Sequence, residues 1–217
     1  MINSPLKSKV LSMKIIPNLN TDMIKELNLP EGHRSIGLFT TDCDDVAYTA
    51  LDESTKKADV TVVYAKSFYG GAANANTKLA GEIIGIISGP NPAEVRSGLD
   101  AICDMIENDA YFISANDDDT VPYYAHCISR SGSYLSKIAG IQEGGAIAYL
   151  IAPPEEAVYG LDAALKAADV RLGAFYGPPS ETNFGGGLLV GSQSACKAAC
   201  DAFAEAVKYI AAHPTEY

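Results

Sequence analysis

Residues 47–60 read AYTALDESTKKADV, and residues 157–170 read AVYGLDAALKAADV. At a constant offset of 110, Ala47, Leu51, Asp52, Lys56, Ala58, Asp59 and Val60 recur as Ala157, Leu161, Asp162, Lys166, Ala168, Asp169 and Val170. Self-similarity at a fixed spacing marks a repeated structural unit. An apolar run precedes each segment, SIGLFTT before the first and AIAYLIA before the second.

The match continues downstream. Val95, Leu99, Ile102 and Ile106 fall at spacings that place them on one face of a helix, and Cys196, Cys200, Phe203 and Val207 repeat the pattern at an offset of 101. The offset drops because the first copy carries extra residues in SFYGGAANANTKLAG (67–81). Asn91, Pro92 and Glu94 supply an N-cap, a first-turn proline and an acid at the third helical position. Each unit therefore reads strand (35–41, 145–151), helix (46–58, 156–168), strand (60–65, 170–175), glycine-rich loop, strand (83–88, 187–190), helix (93–107, 194–211). Residues 110–145 are the lead-in of the second copy and correspond to residues 10–35. The fold class is α/β, an α+β module occurring twice, with no Ser- or Pro-rich linker between the copies. Two fused copies of a module let a ring reach a pseudo-symmetry with half as many subunits.

The chain has 217 residues, 47% of them hydrophobic, and a formal net charge of −11. That charge opposes nucleic acid, whose phosphates require Lys and Arg, and suits small cations. No run approaches the roughly 20 apolar residues of a membrane span, and Met1–Pro17 lacks the apolar region of a signal peptide. The expected location is a reducing, cytoplasmic compartment. The five cysteines form no CxxC and no Cys/His zinc spacing. Cys196 and Cys200 are close enough along a helix to share a metal, but they lie on its apolar stripe and read as core. No metal site and no cofactor are expected.

Chemistry concentrates in TTDCDDVAY (40–48). One reading is a phosphohydrolase of the haloacid-dehalogenase type, with Asp42 as nucleophile, Asp44 as general acid and Mg²⁺ on the phosphate, the Asp117–Asp119 run supplying further acids. The second copy, however, places Pro154 and Glu155 where Asp44 and Asp45 stand, so the fold does not need these acids. The match is also short, and the next helix follows at once. The other reading is a carboxylate cluster of Asp44, Asp45 and Glu82 that binds or passes a small cation. Glu82 opens the strand EIIGII and should lie at its mouth. Helix capping by Asp44 or Asp45 fits either case. Asp117–Asp119 otherwise reads as a solvated loop, and His126 and Cys127, adjacent on a strand, should face opposite ways. Gly70–Gly71 and Gly185–Gly187, each beside an aromatic (Tyr69, Phe184), suit either gate motion or tight turns.

The stretches 34–48, 89–101, 129–141, 152–170, 178–184 and 191–203 together resemble the tandem-domain shell proteins of ethanolamine-utilisation bacterial microcompartments, over essentially the whole chain. The resemblance implies two circularly permuted bacterial-microcompartment (BMC) domains of ferredoxin-like topology, residues 1–110 and 111–217. It implies a homotrimer that tiles a shell with other shell proteins, and no catalysis. It also implies a gated central pore and a smaller acidic channel in each subunit that binds ethanolamine. On this chain the channel would be Asp44, Asp45 and Glu82, completed by Phe112, Thr182, Asn183, Phe184 and Gly185, with a cation–π contribution from Phe112. The stretches 66–78 and 177–187, with Tyr69, Gly70, Gly71 and Gly186, would form the gate. Within residues 67–81, Lys78 is the only charged residue. A soluble small-molecule sensor that does not assemble is a further alternative, distinguished by a monomeric mass in solution.

Overall fold

The computed structural model describes residues 1–68, 82–180 and 182–215. It contains two antiparallel sheets built on one plan. The first unit runs β2 (Val10–Ile16), α1 (Thr21–Glu26), β3 (Ser35–Thr41), α2 (Asp44–Lys57), β4 (Thr61–Phe68), β5 (Glu82–Gly89) and α3 (Pro92–Asp104), and α3 continues as a π-turn over Met105–Asp109. The second runs β7 (Pro122–Ile128), α4 (Ser133–Ala139), β8 (Ala146–Ala152), α5 (Pro154–Ala167), β9 (Val170–Tyr176), β10 (Gly185–Gly191) and α6 (Gln193–Ala212). Sheet order is β2-β3-β5-β4 in one and β7-β8-β10-β9 in the other, so lead-in, first, third and second strands are neighbours in both. The short strands β6 (Phe112–Ser114) and β1 (Pro5–Leu6) extend the second sheet beyond β7. The chain's first residues thus cross to the second unit.

Strand register refines the repeat. Ser35 pairs with Gly89, and Ala146 pairs with Gly191, the ends of β5 and β10. Ser35 therefore corresponds to Ala146, an offset of 111, whereas α2 and α5 begin at an offset of 110. The first unit carries one more residue between strand and helix, at Asp42. A shift of one residue turns every side chain of a strand to the other face, so Tyr149 corresponds to Leu38 and not to Phe39.

The helices follow their sequence signals. Asn91 accepts from the amides of Ala93 and Glu94, and Glu94 accepts from Asp59 N at 2.8 Å, which ties α3 to the end of α2. The 177–187 stretch is loop only as far as Phe184, because Gly185–Gly187 are paired as the start of β10 between β8 and β9. Gly186 adopts φ +152°, and a Cβ there would lie 1.9 Å from Leu150 O. Its glycine is required by close strand pairing, not by loop motion. Tyr69, Gly70 and Gly71 lie outside the described residues.

Cover differs sharply between the units. Alternation on β7 and β8 sends Tyr123, Ala148 and Leu150 into a core under α5 and α6, with Cys196, Cys200 and Phe203. Tyr124, Ile147, Tyr149 and Ile151 face the other way, into a larger core shared with Val46, Ala50 and Leu51 of α2. The second sheet is sandwiched, and β8 is buried along its whole length. On the first sheet the matching outer face holds Ile36 and Ile86, with only partly buried Leu38, Val63 and Ile84, beneath the α1 region.

Candidate functional site

The site grows from the turn between β3 and α2. Cys43 is the N-cap residue of α2 but makes no side-chain cap bond. Asp44 instead accepts from the amide of Asp45 at 3.0 Å, satisfying a helix-terminal donor. Both carboxylates are buried, at 5% and 6% exposure. Tyr149 of β8 donates its hydroxyl to Asp45 Oδ1 at 2.7 Å, and Ser67 of β4 hydrogen-bonds Asp44. Tyr48, one helical turn on, donates to Ser67 Oγ at 3.2 Å. The pair therefore sits where α2 of one unit meets β8 of the other.

A cavity of about 440 Å³ opens beside the pair. Its lining includes Tyr48, Ser67, Tyr134, Tyr149, Tyr176 and Ser180 around the two aspartates. Carboxylate oxygens, hydroxyls and aromatic rings are the groups that receive a small ammonium compound carrying a hydroxyl.

Burial drives the electrostatics. It raises the Asp44 pKa well above the usual carboxylate range, and the neighbouring Asp45 charge adds to the effect. Burial also raises Asp45, to about 6, against the Tyr149 hydrogen bond that favours its charged form. Two adjacent buried carboxylates do not ionise independently. A cation in the cavity would relieve the repulsion and draw protons off.

The other expected residues divide into three groups. Glu82 opens β5 as foreseen, but little of it is exposed. Its carboxyl is raised by burial and then by Asp42, beside it at the ends of β5 and β3. Phe112 is fully enclosed, its ring centroid 5.2 Å from Tyr124 and 6.0 Å from Phe184. Tyr124 in turn meets Tyr149 edge-on at 5.4 Å. Phe112 is thus linked to Asp45 through Tyr124 and Tyr149, and among the described residues the rings lining the cavity are those of Tyr48, Tyr134, Tyr149 and Tyr176. Thr182 is buried, its amide and hydroxyl on Ser180 Oγ, while Asn183 is exposed and Gly185 lies in β10. Tyr149 and Tyr176 went unread because neither belongs to a chemistry-bearing motif. Tyr48 could have been found where the copies differ, since its counterpart is Val158.

The phosphohydrolase arrangement does not form. Asp42 Oδ1 accepts from Lys9 N at 2.7 Å, which binds the proposed nucleophile into the sheet edge. Asp117 and Asp119 instead receive the chain's N-terminal amine, at the Asp117 carbonyl and the Asp119 carboxylate, by the β1–β6 edge of the second sheet. Among the described residues no group of three or more His, Cys, Asp or Glu side chains is placed to hold a metal ion. No helix among them is long and apolar enough to cross a membrane.

Comparison with known proteins agrees with this architecture. Residues 35–116 match the BMC domain. The chain is 64% identical to the bacterial microcompartment shell protein EutL of Clostridium perfringens over 214 residues, covering 99% of each chain. It is 53% identical to the EutL shell protein of Escherichia coli, over 97% of this chain and 96% of that one. The crystal structure of ethanolamine utilization protein EutL from Leptotrichia buccalis superposes with a TM-score of 0.95 at 73% identity, with complete coverage of both chains.

Proposed function

Because this chain belongs to the EutL family of bacterial microcompartment shell proteins, we propose that it forms a trimeric pore tile whose subunits each bind ethanolamine at the Asp44–Asp45 pair. It is a structural shell protein and not an enzyme. The observation that carries the assembly is the unequal cover of α2 and α5. Inside one chain, α2 lies buried between its own sheet and the outer face of the second sheet. Its counterpart α5 buries Ala157, Gly160, Leu161 and Ala164 inward and leaves Val158, Tyr159 and Leu165 at 51%, 49% and 36% exposure. Among the described residues the first sheet's outer face carries the α1 region but no counterpart of the helix that the second sheet receives from α2. Seating α5 of one chain on the first sheet of the next repeats the internal contact between copies. Such a head-to-tail interface forms a ring when its rotation closes; in this proposal three chains close it and supply six units, each chain contributing tandem domains at about 1–110 and 111–217.

The acid pair supports the ligand. Ethanolamine is an ammonium ion with one hydroxyl, so Asp44 and Asp45 match one end and the Ser67, Tyr48 and Ser180 hydroxyls match the other. Glu82, Thr182 and Phe184 belong to the same channel in this proposal, with Asn183 at its exposed rim and Phe112 as backing. The ring leaves a central pore, for which the stretches 66–78 and 177–184 are the proposed gate. Other shell proteins would meet the rim of the tile.

Light scattering and equilibrium dialysis test both parts together. The expected result is the mass of three chains with one ethanolamine taken up per chain. A monomer would overturn the assembly, and a trimer that takes up none would overturn the ligand.

A further inference from the structure

Four tyrosine rings border the cavity beside the acid pair: Tyr48 of α2, Tyr134 of α4, Tyr149 of β8 and Tyr176 of β9. Tyr48 and Tyr134 stack with centroids 6.3 Å apart, and Tyr149 and Tyr176 lie 6.4 Å apart at a 42° tilt. Tyr149 is buried, whereas the other three keep part of their surface open. Leu135, Ile138 and Ile151 add apolar wall. The repeat does not require this lining, since Tyr48 corresponds to Val158 and Tyr149 to Leu38.

The hydrogen-bonding groups of the cavity, by contrast, are partly engaged already. Asp45 Oδ1 accepts from Tyr149, Asp44 Oδ1 accepts from the Asp45 amide, and Ser67 serves both Asp44 and Tyr48. A primary ammonium carries a donor on every N–H, and each donor needs an acceptor once it leaves water. Each methyl group on the nitrogen removes one such demand. The methyl groups of a quaternary ammonium share its charge and pack against ring faces, where the ring quadrupole attracts them. At about 440 Å³ the cavity falls in the range of sites that enclose drug-sized ligands, so added methyl groups have room. Lys66 also borders the cavity, but it is exposed while its neighbour Ser67 is buried, and alternation along β4 sends the two side chains to opposite faces of the sheet.

We propose that the site accepts N-methylated ethanolamines as a class and binds choline, the quaternary member, more tightly than ethanolamine itself. This preference presupposes the ethanolamine site proposed above and adds Tyr134 and Tyr176 as its specificity-determining residues. The aspartates supply the opposing charge for either head group. The tyrosine rings and the apolar wall distinguish them, because only the methylated head group places apolar surface there and leaves no N–H without an acceptor. The hydroxyl end is common to the whole class and keeps the same partners.

The test is titration calorimetry of the full-length protein with ethanolamine, N-methylethanolamine, N,N-dimethylethanolamine, choline and the uncharged carbon isostere of choline. Affinity is expected to rise along the methyl series, with choline on the order of tenfold tighter than ethanolamine and displacing it, and with no uptake of the isostere. Tyr134→Leu/Tyr176→Leu should weaken choline more than ethanolamine while the protein stays folded by circular dichroism. The methyl series on the native chain decides the matter alone if that variant does not fold. Uptake of ethanolamine with equal or weaker binding of choline would overturn the preference and leave the ethanolamine site standing. Uptake of neither would overturn both. Choline that still binds to Asp44→Asn/Asp45→Asn, or that fails to displace ethanolamine, would overturn the preference by placing choline elsewhere.

Discussion

Helices α2 and α5 are copies of one segment, yet they live in different surroundings. α2 is buried around most of its circumference, from Asp44 to Ser54, because the second unit closes over it. α5 is buried along one stripe only. The repeated aspartate shows the consequence. Asp52 accepts the amides of Gly132 and Leu135 at 2.6 and 2.8 Å, capping α4 across the boundary between units. Asp162 is exposed and pairs with Lys166, at 2.6 Å on the same helix. The residues that recur build the module, and neighbourhood decides what each one does. The difference extends to the preceding turn, where Asp42, Cys43, Asp44 and Asp45 face Pro153, Pro154 and Glu155.

The largest expected effect follows from Asp52. Asp52→Ala removes two buried hydrogen bonds to a carboxylate, each worth about 1.5–3 kcal/mol, and leaves two amides without that acceptor. Chemical denaturation is expected to show a loss of about 3 kcal/mol or more. A loss below about 1 kcal/mol, the range of a surface substitution, would mean that the burial contrast between α2 and α5 has little energetic weight.

Much of this contrast was legible before the structure. The repeat, the strand and helix order and the Asn91 cap are local patterns, and they came out within a few residues. Asp44 and Asp45 stood out because the copies differ there. What a linear reading could not supply was the partner across the boundary. Tyr149 lies 104 residues from Asp45 in sequence, and its strand is read in the wrong register when the helix offset of 110 is carried through. Phe112 was placed at the ligand by resemblance, and its ring contacts with Tyr124 and Phe184 are long-range neighbours that a linear reading does not supply. Gly186 looked like a loop glycine because sequence does not reveal the close pass of the Leu150 carbonyl.

Tyr149 offers an intermediate effect. The Asp45 value lies above that of a free carboxylate, so the folded chain holds more protons than the unfolded one between about pH 4 and 6. This group's contribution to stability is therefore full below about pH 4 and is lost as pH rises through about 6. Cation binding runs the opposite way and strengthens as the pair ionises. Tyr149→Phe removes the hydrogen bond that favours ionised Asp45, so the midpoint of the ethanolamine affinity–pH curve should rise by about one unit, or 1.4 kcal/mol. Calorimetric titrations across pH 5–8 would check the shift, and an unmoved midpoint would show that Tyr149 does not tune the pair.

A smaller effect is expected at Tyr48, whose counterpart Val158 has no hydroxyl. Tyr48→Phe deletes the bond to Ser67 Oγ at 3.2 Å, and ethanolamine affinity should weaken by about 0.5–1.5 kcal/mol with the trimer intact. Tighter binding would show that the Ser67 hydroxyl is more useful to the ligand when released from Tyr48.

The central claim is that the buried Asp44–Asp45 pair, whose counterparts in the second copy are Pro154 and Glu155, creates the cation site. Titration calorimetry of ethanolamine into the native protein and into Asp44→Asn/Asp45→Asn tests it most directly. The native trimer should bind one equivalent per chain, and the double variant should remain a folded trimer with affinity reduced about a hundredfold or more, roughly 2.7 kcal/mol. Equal affinity in the two proteins would contradict the account and place the ligand elsewhere on the tile.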